Sequence, residues 1–145
     1  MRHHLILRVI TKLLVPPIVL FALYVQFHGD YSPGGGFQAG VIFAAGLILF
    51  GIVYGLRAVK KVIPPWLVHK LAAIGVLIYG GTGVISLFMQ KPFLDYSVLA
   101  HDALHGQHYG IIAVELGVGV TVTSVMLAIF YAFAGRTPRI SDEDW

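Results

Sequence analysis

The chain has no cysteine, which removes disulfides, thiol catalysis and thiolate metal sites from consideration. Charge is scarce too. Asp, Glu, Lys and Arg make up 12% of the 145 residues, about half the share usual in a soluble globular domain. A soluble fold of this length must cover its surface with polar groups, yet 57% of these residues are hydrophobic. The apolar runs lack the apolar–polar alternation of barrel strands. No small-residue cleavage site follows the basic start of the chain, so the first apolar run reads as a retained span and not as a cleaved signal. The formal charge of +3 does not point to nucleic acid, because the basic residues fall in short clusters between apolar runs.

What remains is membrane helix. A crossing takes about 20 apolar residues. Residues 31–56 are uncharged for 26 residues, and 71–90 and 116–135 for 20 each. Residues 13–27 are uncharged for only 15, but Arg8 and Lys12 can snorkel outward and extend that span to Leu5. The expected fold is therefore an all-α membrane protein of four transmembrane helices, at about 5–27, 38–56, 67–89 and 109–134. Together they form one transmembrane domain (1–135), followed by a short polar tail (136–145). Pro16-Pro17 lies inside the first span and predicts a kink. Pro64-Pro65 suits the first turn of the third, with Trp66 as an interfacial anchor.

Lys and Arg are divided unequally between the two sides of these spans. Arg2, Arg8, Lys12, Arg57, Lys60, Lys61, Lys70, Arg136 and Arg139 share one side, and Lys91 stands alone on the other. The positive-inside rule then places both termini and the loop between spans two and three in the cytoplasm.

Seventeen glycines is a high count, and several recur at helical spacing. Gly36, Gly40 and Ala44 make one stripe on span two, and Gly51 and Gly55 make another pair. Ala113, Gly117, Thr121 and Ala128 make a stripe on span four. Such residues let helix backbones approach closely, either within this chain or against other subunits, and the second reading is favoured here.

The loop between spans one and two reads His28-Gly-Asp-Tyr-Ser-Pro33-Gly34-Gly35-Gly36-Phe37-Gln38-Ala39-Gly40. Three glycines after a proline and before a helix form irregular backbone that could cradle an anion or coordinate an ion through carbonyls. The plainer alternative is a tight turn. No Lys-Ser/Thr follows, so this is not a nucleotide-binding loop. The run from Pro33 to Gly40, with Gly80-Gly81-Thr82-Gly83 in span three and the four-span layout, resembles the B-type subunits of the Mrp-type cation/proton antiporters. It is also similar to the related domain of membrane-bound hydrogenases. The resemblance covers nearly the whole chain. It implies a subunit of a hetero-oligomeric Na+/H+ antiporter in a prokaryotic plasma membrane, with other antiporter subunits as partners, Na+ and H+ as the transported ions, and no cofactor.

Glu115 is the one acidic residue inside a span, roughly 9 Å along the helix from a start at Tyr109. A carboxylate there is costly unless paired, protonated or hydrated, so it marks an ion or proton route or else an interfacial contact with Lys91 or water. Lys70, opening span three beside His69, has the same two readings, with snorkelling to the interface favoured. The outer loop between spans three and four holds His101-Asp102-Ala-Leu-His105-Gly-Gln-His108. His101 and His105 at i and i+4 have the spacing of a metal-binding pair, but no Glu stands between them as a general base. A solvated loop, or a titratable cluster that passes protons or cations to the membrane, fits better. The candidates for an ion path are thus Pro33, Gly34, Gly35, Gly36, Phe37, Glu115, Lys70, Asp102, His101 and His105.

The leading function is a non-enzymatic membrane subunit of a multi-subunit Na+/H+ antiporter. The alternatives are a self-contained four-helix proton-coupled exporter, a membrane metalloenzyme, or a structural subunit of a redox-driven ion pump. Small exporters of the first kind carry their membrane carboxylate deep in span one, where this chain has Pro16-Pro17.

Overall fold

A computed structural model describes residues 5–29, 35–99 and 102–136. Its helices are α1 (Leu5–Phe27), α2 (Gly36–Tyr54), α3 (Leu56–Val62), α4 (Pro65–Phe88) and α5 (Ala103–Ala134), with a 3-10 turn over Tyr96–Leu99 before α5. Among the described residues, four of these helices are long and apolar enough to cross a membrane, and α3 is not one of them. The all-α, four-span architecture is therefore the observed one.

The element ends follow from local chemistry. α1 runs as one helix through Pro16 and Pro17. α4 opens with Pro64 as N-cap and Pro65 in its first turn, where a missing N–H costs no helical bond. Two expectations need correction. Span two stops at Tyr54 and not at Leu56, because Gly55 takes a φ of 94°, a left-handed value that breaks the helix. The chain then restarts as α3, a seven-residue helix where hydropathy predicts only loop. The helix that carries span four begins at Ala103, before the apolar run that opens near position 109. Hydropathy detects only where the helix becomes apolar, whereas backbone bonding carries it on through the polar His105, Gln107 and His108.

Packing gives the order α1, α2, α5, α4, with α5 between α2 and α4 and α1 held mainly by α2. Cross-helix hydrogen bonds show the antiparallel pairing. Tyr54 Oη at the end of α2 donates to the Arg8 carbonyl near the start of α1 at 2.8 Å. Tyr131 Oη near the end of α5 donates to the Ile63 carbonyl before α4 at 2.9 Å. The second and fourth spans, α2 and α5, run parallel instead, and Thr123 Oγ1 on α5 donates to the Gly40 carbonyl on α2 at 3.1 Å.

The two ends of the molecule pack differently. At the basic end, α3 caps the bundle and its buried Val59 joins Val68, Leu127 and Tyr131 in an apolar core. Toward the other end, the helices meet through backbone. A Cβ at Gly40 would stand 2.7 Å from the Gly119 carbonyl oxygen, and one at Gly75 2.6 Å from that of Gly117. The stripes at Gly36–Gly40 and Gly117–Thr121 are therefore spent within this chain, which corrects the reading that favoured other subunits for them. In contrast, a Cβ at Gly80 or Gly81 would meet nothing within 4 Å.

The segment between α4 and α5 is tied down. Ser86 Oγ donates to the Asp95 carbonyl at 3.0 Å, the Phe93 ring covers Gly83, and the Tyr96 ring covers Gly110.

Candidate functional site

Glu115 and the glycine elbow, which lie about eighty residues apart in the chain, meet in space. At Gly29 and at Gly35 an added Cβ would fall on the Glu115 carboxylate. At Gly36 it would fall on the Glu115 backbone carbonyl and stand 2.9 Å from its Cα. Gly29 and Gly35 thus clear the space of this acidic side chain and Gly36 that of its backbone, and these three glycines form the elbow. At Gly36 the obstacle is backbone, so only a residue without a Cβ lets the start of α2 close onto α5 here.

The carboxylate is partly buried. It lines an open depression of about 480 Å³ with Gly29, Gly35, Gly36, Phe37, Gln38 and Val118. From the start of α5 at Ala103, Glu115 lies roughly 18 Å along the helix axis, the first two turns of which are polar.

One turn further along α5, the Gln26 side chain of α1 lies against Gly119. A Cβ at Gly119 would collide with Gln26 Oε1 and stand 3.2 Å from the Gly36 carbonyl oxygen. Sequence reasoning missed Gln26, although a lone amide in an otherwise apolar span is a readable signal. Beyond it, a cavity of about 300 Å³ with an almost wholly apolar lining runs between α1 and α4, with Phe43, Leu71 and Thr123 among its walls.

The other sequence-selected residues separate from this centre. Phe37 is exposed at the mouth of the depression. Pro33, Gly34 and His101 lie outside the described residues. Asp102 Oδ2 and His105 Nδ1 are 3.1 Å apart, with both side chains 67% exposed, so the pair is a surface contact of little energetic weight. Lys70 lies at the opposite, basic end, with Nζ 5.0 Å from the Trp66 ring centroid. In the segment between α4 and α5, two hydrogen bonds from Ser97 hold the Asp95 carboxyl below its ordinary range, with the hydroxyl bond the larger influence.

Four helices long and apolar enough to cross a membrane, in a bundle with no soluble domain among its described residues, define an integral membrane protein. The comparisons narrow the class. Residues 6–128 match the family described as a domain related to the MnhB subunit of the Na+/H+ antiporter, and the chain belongs to that family. It is 34% identical over 136 residues to a Staphylococcus haemolyticus protein given the name antiporter subunit mnhB2, covering 92% of this chain and 96% of that one. The same identity and coverage hold for its Staphylococcus aureus (strain Newman) counterpart.

Proposed function

We propose that this chain serves as a plasma-membrane subunit of a multi-subunit Na+/H+ antiporter and that Glu115, seated in the glycine elbow, handles a proton or cation in the exchange. Family membership supports the first part. The observation that carries the second is the convergence of Gly29, Gly35 and Gly36 on the Glu115 side chain and its backbone. A purely structural subunit gains nothing from keeping a carboxylate inside a span, and the cost of one there is the usual mark of an ion route. The elbow positions the carboxylate, and the open depression gives it access from the end opposite the basic cluster. With the basic end cytoplasmic, as the Lys/Arg asymmetry argues, that access is from outside. The chain itself performs no covalent chemistry in this reading.

The test is Glu115→Gln in the assembled complex. Glutamine keeps shape and most hydrogen bonding but removes charge and titration. Na+-dependent proton movement in everted vesicles should fall on the order of a hundredfold, the scale for losing a positioned proton-transfer group, and its pH profile should change. Wild-type rate and profile at equal complex content would remove Glu115 from the path.

A further inference from the structure

Among the described residues, the basic end of the molecule is a surface without counter-charge. It carries Arg8, Lys12, Arg57, Lys60, Lys61, Lys70 and Arg136, and no Asp or Glu. The one described salt bridge, between His105 and Asp102, lies at the other end. Three of the seven cations are instead backed by aromatic rings. The Arg8 guanidinium lies 5.1 Å from the Tyr54 ring centroid, Lys60 Nζ 5.5 Å from that of Tyr131, and Lys70 Nζ 5.0 Å from that of Trp66. Helix α3 organises the centre of this surface. Val59 anchors it in the core, while Arg57 and Lys61, at i and i+4, share an exposed face beside the exposed Val62.

We infer that α3 and the cations around it bind the phosphates of anionic phospholipids at this membrane face. Two observations select lipid as the occupant. The first is charge: seven cations gathered at one face, with no acidic residue beside them among the described residues, call for anions. The second is depth: Tyr54, Trp66 and Tyr131 stand at the ends of the spanning helices, the headgroup level where aromatic belts form and where Lys and Arg meet phosphate. Val62, 62% exposed, and Trp66, 60% exposed, extend apolar surface beside the charges, as an interfacial helix requires.

The experiment uses the assembled complex with full-length chain in nanodiscs of equal phosphatidylglycerol and phosphatidylethanolamine. After mild detergent extraction, retained headgroups are counted by mass spectrometry. Wild type should retain phosphatidylglycerol in excess. Arg57→Gln/Lys61→Gln, two exposed positions, should lower that excess about tenfold or more. The charge-preserving Arg57→Lys/Lys61→Arg should keep it. Equal retention of both lipids by wild type, an unchanged excess in the neutral variant, or equal loss in the charge-preserving one would overturn the inference. So would loss of a co-purifying subunit from the neutral variant with lipid retention unchanged, since the face would then be a protein contact.

Discussion

Helix α4 contains its own control experiment. Gly75 faces α5, where a Cβ would stand 2.6 Å from the Gly117 carbonyl oxygen and 2.8 Å from the Thr121 nitrogen, and would overlap Thr121 Oγ1. Ordinary contact begins at 3.4 Å, so at Gly75→Ala the helices must part by about 0.8 Å against backbone atoms that cannot rotate away. Such overpacking costs about 1–3 kcal/mol. Gly80, five residues on in the same helix, has open space where its Cβ would be. The helix-propensity gain of Gly→Ala, about 1 kcal/mol, applies to both sites and cancels in the comparison. Gly75→Ala should therefore be less stable than Gly80→Ala by the packing term alone, about 5- to 150-fold in the unfolding equilibrium. Unfolding of the detergent-solubilised chain by increasing SDS fraction, followed by circular dichroism, measures both. Equal stabilities, or a weaker Gly80→Ala, would refute the α4–α5 contact face.

The absence of cysteine makes topology straightforward to test. His105→Cys should react with an impermeant thiol reagent from outside the cell and Val62→Cys should not; the reverse pattern would invert the cytoplasmic assignment of the basic end. At Asp95, the depressed pKa means that its hydrogen bonds stabilise the segment between α4 and α5 above the ordinary carboxylate pKa and lose that effect as pH falls through the lowered value. Ser97→Ala removes the dominant bond, so the Asp95 titration followed by carbon-13 NMR should move upward; an unmoved midpoint would remove Ser97 as the cause. Tyr54→Phe should cost about 1 kcal/mol by deleting the bond to the Arg8 carbonyl, measured by the same SDS unfolding, and no change would show that contact to be idle.

Much of the site is visible in the sequence as separate pieces. Glu115 stands out because a lone carboxylate in an uncharged run is a local property of the chain, and the Gly34–Gly36 run stands out for the same reason. That Gly35 and Gly36 close onto Glu115 is not legible there, since nothing in either segment encodes the distance between α2 and α5. Gln26 escapes notice because its meaning depends on Gly119, a residue on another helix. The glycine stripes are legible as close-approach surfaces, but periodicity says nothing about which partner is approached. Gly36, Gly40 and Gly117 turn inward, while Gly80 and Gly81 do not.

The number of spanning helices and the basic asymmetry follow from sequence alone, because both rest on transfer of side chains between water and hydrocarbon, a quantity summed residue by residue. The break at Gly55, the capping helix α3, the early start of α5 and the seating of Glu115 in the elbow belong to tertiary structure. Each depends on backbone angles or on the approach of segments distant in the chain, and close packing between helices is decided by shape complementarity that no single segment contains.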